Sequence, residues 1–195
     1  MNFILASKSP RRREILQNLG VRFEVVTADT DESSTLTDPC ALVEELSLRK
    51  GQAVREKLIA QGRFDSNTVI IASDTVVSAD GRILGKPRDA ADAAEMLRML
   101  SGREHEVISG ISLIGADRQG VSHDLTRVKF ATLTERQIDF YLRSGEPFDK
   151  AGSYAVQGLA SMWIEGIRGC YFNVVGLPVH KMCTLYSDIF GEEFL

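Results

Sequence analysis

Cysteine and histidine are both scarce in this chain of 195 residues, with three of each. Cys40, Cys170 and Cys183 are odd in number and scattered without a C-x-x-C pair, which excludes a disulfide framework and a thiolate zinc site and leaves reduced, partly buried thiols. His105, His123 and His180 show no metal-ligand spacing and read as surface or hydrogen-bonded side chains. No run reaches the ~18 apolar residues that a membrane span needs. The opening Met1-Asn2-Phe3-Ile4-Leu5 lacks the basic flank of a secretory signal, so a cytoplasmic protein without membrane attachment is expected. A surplus of positive charge is also missing. The net charge of -4 argues against binding a nucleic-acid polymer, whose phosphates call for a basic surface.

What remains is ordinary globular composition, 44% hydrophobic and 26% charged, enough for one well-buried core and read as a single domain over residues 1–195. Charge is uneven along it. Before residue 20, Lys8, Arg11, Arg12 and Arg13 face one acid, Glu14, which suits a small anionic ligand better than a polymer.

The apolar run Phe3-Ile4-Leu5-Ala6 predicts a buried strand, and Ser9 and Pro10 then suit the N-cap and first position of a helix that ends at Gly20. A second strand is expected at 23–27, an acidic loop at Asp29, Asp31 and Glu32, and a long helix from Asp38-Pro39. Residues 68–72 (TVIIA) read as a central strand that Ser73-Asp74-Thr75 interrupts before Val76 and Val77 resume it. Ala79-Asp80-Gly81-Arg82 predicts a hairpin turn, Asp89 caps a further helix, and residues 105–114 and 121–132 predict a long antiparallel hairpin. Helices are expected at 134–143 and 177–190. Early alternation of strand and helix, followed by a hairpin, implies an α/β fold with a mixed sheet flanked by helices.

Four segments carry chemistry. Ser7-Lys8-Ser9-Pro10-Arg11-Arg12 lies where strand gives way to helix, so unpaired N–H groups and the positive dipole end would face an anion there, unless the arginines are merely solvated. Asp74, set among β-branched apolar residues, should face a cleft, a cation or a metal. Gly81 to Lys86 falls one residue short of a phosphate loop, and Pro87 replaces the required Ser or Thr; Lys86 remains a good phosphate ligand. Residues 149–158, DKAGSYAVQG, form a polar loop that would be a generic turn if it stood alone.

In order and spacing, LASKSPRR (5–12), SDT (73–75), GKPRD (85–89), LSGREHEVISG (100–110) and DKAGSYAVQG (149–158) together resemble the Maf family across nearly the whole chain. That resemblance implies an elongated mixed β-sheet flanked by helices in two lobes with a central cleft, related to the inosine triphosphate pyrophosphatases. It implies hydrolysis of nucleoside triphosphates to monophosphate and pyrophosphate in the house-cleaning of nucleotide pools. Ser7, Arg11 and Arg12 would hold the triphosphate, and Glu32, Lys50, Asp74 and Lys86 would form the catalytic group. Thr75 and Gln157 fall where the family reads the base, and SDT with YAVQG looks like the subgroup acting on dTTP and UTP. A carboxylate and phosphate oxygen site suits Mg²⁺ or Mn²⁺, with Glu32 and Asp74 as candidate ligands and Asp74 alternatively the general base. The family further implies a homodimer. Two rival readings are a pyrophosphatase for deaminated purines and a nucleotide-binding regulator of cell division without turnover.

Overall fold

The computed structural model describes residues 1–194. They form a seven-stranded mixed sheet in the order β2-β1-β3-β5-β6-β7, with β4 paired to β3, and helices flank it. The strands are β1 (Asn2–Leu5), β2 (Phe23–Val25), β3 (Thr68–Ala79), β4 (Arg82–Leu84), β5 (Glu104–Ile114), β6 (Gln119–Phe130) and β7 (Ile164–Arg168). The helices are α1 (Pro10–Asn18), α2 (Pro39–Ala60), α3 (Ala90–Leu100), α4 (Glu135–Arg143), α5 (Tyr171–Val175) and α6 (Val179–Phe190). The chain divides into two compact units, one of residues 1–74, 109–124 and 176–194 and the other of 75–108 and 125–175.

The first unit is built on parallel pairing: β1 lies between β2 and β3, with Leu5 opposite Val25 on one side and Ile71 on the other. Ser9 caps α1 by accepting from Arg12 N–H at 3.5 Å, and Pro10 fills the first turn without wasting a donor. Asp38 does the same for α2, accepting from Cys40 and Ala41 N–H. One apolar cluster, Ile4, Ala6, Val26, Val54, Leu58, Ile70, Ala72 and Ile114, joins α2 to the strands. The helix lies very close to β5. A Cβ added at Gly110 would sit 2.1 Å from the Val43 carbonyl oxygen, so only glycine admits α2 at this depth, and Ser112 Oγ fastens the contact by donating to the Ser47 carbonyl at 2.9 Å.

β3 corrects the sequence reading in one respect: Ser73-Asp74-Thr75 does not interrupt the strand, which runs unbroken for 12 residues. The polar residues are carried within the ladder, and backbone pairing overrides their weak strand preference.

The second unit begins with the β3–β4 hairpin, in which Ala79 pairs with Arg82 across Asp80 and Gly81, both with positive φ. Asp89 caps α3 by accepting from Asp92 N–H at 2.8 Å. Thr134 and Gln137 form a reciprocal capping box on α4. Their apolar faces close on a core that includes Val77, Leu97, Phe130, Ile138, Tyr141, Tyr154 and Trp163. Within it His105 Nε2 shares a 2.8 Å hydrogen bond with the Tyr154 hydroxyl, and both rings meet Phe130 edge to face. The strand β7 and helix α5 were not expected from the sequence.

Candidate active site

Five of the nine expected site residues meet in the first unit. Lys50, in the middle of α2, reaches Asp74 of β3, with Nζ 2.5 Å from Oδ1, and the same ammonium lies 2.7 Å from Glu32 Oε1. Two carboxylates from separate segments therefore converge on one cation. The Asp74 and Lys50 side chains are largely buried, at 13% and 19% exposure, whereas Glu32 is 55% exposed. Each charge removed from water thus has a partner of opposite sign within hydrogen-bond distance.

Beside them stands Arg12. Its Nε donates to the Gly176 carbonyl at 2.7 Å and its Nη1 to Ser7 Oγ at 3.3 Å, while Ser73 Oγ donates to the same Gly176 carbonyl at 2.9 Å. Burial pulls the Arg12 pKa below the usual arginine value, Asp74 pushes it back up, Arg11 lowers it, and Glu32 raises it. The guanidinium remains a cation held in the field of both carboxylates. Ser7 Oγ also accepts from Ser9 N–H at 3.2 Å, so the turn entering α1 is tied down on both sides. Arg11 is different: its side chain makes no hydrogen bond or ion pair with the described residues, although no acid occupies the first turn to balance it.

Arg49 was not singled out from the sequence. It donates through Nη1 to the carbonyls of Asp31 at 2.6 Å and Ser33 at 2.8 Å, one on each side of Glu32, and is itself paired with Glu45. Glu32 is thereby held by backbone on both flanks. Asp31 contributes by accepting from Ser33, a bond that holds its carboxyl below the usual range. Of the three acids in this loop, Glu32 faces Lys50, Asp31 is spent on the turn, and Asp29 pairs with Lys8 at the surface.

Thr75, Lys86 and Gln157 belong to the second unit. Thr75 follows Asp74 in β3 and is partly exposed. Lys86 is exposed and forms no ion pair with the described residues, and the exposed Gln157 amide likewise makes no hydrogen bond with them. Gly152 N–H donates to the Gly85 carbonyl at 3.0 Å, so the loops carrying Lys86 and Gln157 abut.

Glu32 and Asp74 offer only oxygen donors, and no group of three or more His, Cys, Asp or Glu among the described residues could hold a metal. That set fits a hard cation such as Mg²⁺, which commonly takes one or two carboxylates and completes its shell with water and phosphate oxygens. Cys40, Cys170 and Cys183 are partly buried, and none is disulfide-bonded among the described residues. No described helix is long and apolar enough to cross a membrane.

Fold and site together define an α/β protein with a cationic helix entrance beside paired carboxylates. The chain belongs to the Maf family: the profile of the Maf-like protein family matches residues 2–189. A dTTP/UTP pyrophosphatase of Symbiobacterium thermophilum is 45% identical over 95% of this chain and 92% of its own length. A dTTP/UTP pyrophosphatase of Desulforamulus reducens is 46% identical over 98% of each. Among solved structures, the Staphylococcus aureus Ham1 protein overlaps 67% of this chain and 72% of its own, at 17% identity and a TM-score of 0.47.

Proposed function

We propose that this chain is a nucleoside triphosphate pyrophosphatase that hydrolyses dTTP and UTP to the monophosphate and pyrophosphate. The observation that carries the chemistry is the convergence of Lys50, Asp74 and Glu32 beside Arg12 and the N-terminus of α1. The substrate assignment is supported by the names and near full-length similarity of the two relatives above. In the reaction water bonds to the α-phosphorus and the α–β bridging oxygen leaves with pyrophosphate. Arg11, Arg12, Ser7 and the N-terminus of α1 bind the phosphate tail, since cations and the positive end of a helix both favour an anion there. Lys50 and Lys86 offset charge that builds on the phosphate oxygens.

Glu32 and Asp74 would hold Mg²⁺ or Mn²⁺, which when bound supplies Lewis-acid polarisation of phosphate oxygens and a template for the attacking water. Asp74 is assigned one of two roles, holding that cation or accepting the proton of the attacking water. The base is read by Gln157, whose unspent amide offers a donor and an acceptor to the O4 and N3–H edge shared by uracil and thymine, and by the short Thr75.

A panel of nucleoside triphosphates assayed for pyrophosphate release tests the reading. UTP and dTTP are expected to be cleaved with similar efficiency and ATP and GTP at least roughly tenfold less well, a difference of about 1.4 kcal/mol. Preference for ITP or GTP would reassign the substrate, and no turnover of any nucleotide would leave only the regulatory reading. The protein is further assigned to the cytoplasm and to a homodimer, the latter tested by sedimentation velocity.

A further inference from the structure

Gln157 sits in a loop whose two ends are gripped by one pair of side chains. Ala155 N–H donates to the Tyr141 hydroxyl at 3.2 Å, and that hydroxyl donates to Glu146 Oε1 at 2.8 Å. The other carboxylate oxygen, Glu146 Oε2, accepts from Leu159 N–H at 3.1 Å. The path from Ala155 through Tyr141 and Glu146 to Leu159 closes a ring around residues 156–158. Little slack is left in that ring. A Cβ added at Gly158 would fall 2.0 Å from Glu146 Oε1, so the loop backbone lies directly on the carboxylate. Tyr141 is fully buried, and its ring meets Trp163 edge to face at 5.5 Å. The loop gains a further anchor just before Ala155, where the Tyr154 hydroxyl bonds His105.

From this geometry we propose that Tyr141 and Glu146 are positioning residues for base discrimination, fixing the 155–159 loop so that the Gln157 amide is presented in one orientation. The proposal rests on the reading of Gln157 as the base-recognition residue. Neither side chain needs to touch the nucleotide. A Gln amide discriminates between bases only while its donor and acceptor are held in register with the base edge; a loop free to rotate would present them to any base and lose the preference. Tyr141 is suited to this because burial, reinforced by the bond to Glu146, pushes its pKa upward and keeps the hydroxyl protonated. It therefore donates to Glu146 and accepts from Ala155 at the same time.

The test compares kcat and KM for UTP and GTP in the full-length enzyme and in Tyr141→Phe, Glu146→Gln, Glu146→Ala, Gln157→Ala and the Tyr141→Phe/Gln157→Ala pair, with melting temperature recorded for each. Tyr141→Phe keeps the ring against Trp163 and removes only the hydroxyl, so it carries the test even if Glu146→Ala fails to fold. The UTP-to-GTP ratio of kcat/KM is expected to fall roughly threefold or more in Tyr141→Phe through a higher KM for UTP, with kcat for UTP kept within about twofold. Glu146→Gln, which retains one acceptor, should fall between wild type and Glu146→Ala. In the Gln157→Ala background the Tyr141 change should leave the ratio unmoved, because the group it orients is gone. Parallel losses for UTP and GTP in Tyr141→Phe, or an equal change of ratio with and without Gln157, would overturn the proposal. A failure of the underlying reading is visible earlier and separately: the wild-type enzyme would then show no preference for UTP, or Gln157→Ala alone would leave that preference intact.

Discussion

Lys50 of α2 and Asp74 of β3 are 24 positions apart in the chain, yet Nζ and Oδ1 lie 2.5 Å apart with Glu32 on the same ammonium. A cation held between two carboxylates keeps them near each other, the arrangement that the proposed reaction uses when an incoming polyphosphate exchanges partners with them.

Asp74→Asn should lower turnover by roughly two or more orders of magnitude, as loss of a base or metal ligand does, with the fold retained because Glu32 still pairs with Lys50. Titrating the variant with Mg²⁺ separates the two roles. A ligand role predicts a raised metal requirement, whereas a proton acceptor predicts an unchanged requirement at lower kcat. Near-normal turnover would remove Asp74 from the mechanism altogether.

Arg11→Ala and Arg12→Ala should behave differently although the residues are adjacent. Arg11 has no partner among the described residues, so its loss should raise KM for triphosphates more than for monophosphates and leave the melting temperature nearly unchanged. Arg12 also bonds the Gly176 carbonyl and Ser7, so its loss should add a destabilisation of about 1–3 kcal/mol, read by denaturant unfolding. Equal unfolding midpoints for the two variants would contradict this division.

Gly110→Ala should displace α2 from the sheet, since the added methyl meets backbone at Val43 that cannot rotate away. At least about 2 kcal/mol of stability is expected to be lost. Activity should fall further than that loss alone explains, because Lys50 rides on the displaced helix. A variant with wild-type stability and turnover would show that the close approach is unimportant.

Stability should also depend on His105. Burial holds its pKa down at about 4 against 6.5 for an exposed imidazole, and Nδ1 is buried without a partner. Between those values the unfolded chain binds a proton that the folded one refuses. The stabilisation is therefore whole above pH 6.5 and is lost as pH falls towards 4, by up to roughly 3 kcal/mol. His105→Asn should flatten the unfolding free energy against pH across that window by about one proton, and an unchanged slope would mean that the imidazole charges freely in the native state.

Much of this architecture was legible because the signals were local. Ser9-Pro10, Asp38-Pro39 and Asp89 announce helix starts, and Asp80-Gly81 announces the hairpin, through caps and turns that act over a few residues. The strand β7 escaped because its sequence, IEGIR, is short and mostly exposed; its place comes from pairing with β6, in which Arg127 faces Arg168. Continuity of β3 through Asp74 was hidden for a related reason, since ladder bonds from neighbouring strands outweigh residue preference. At the site, side-chain types could be read but backbone grips could not. Arg49 acts on the carbonyls of Asp31 and Ser33, and every residue carries such a carbonyl.

The carbonyl of Gly176 has a consequence for the order of events as the chain is made. Arg12 and Ser73 both bond to it, and 164 positions separate Arg12 from that partner. At roughly 5–20 residues per second of synthesis, Arg12 would emerge on the order of ten seconds or more before the atom that holds it exists. The unit that carries it is likewise stitched from three separate stretches, with α6 the last of the described elements to be made. A nascent polypeptide can thus cap α1 and lay down β1 early, but the guanidinium acquires its Gly176 anchor only once that residue has been made. The Arg12 corner of the candidate site therefore waits, during synthesis, for a single backbone oxygen far downstream.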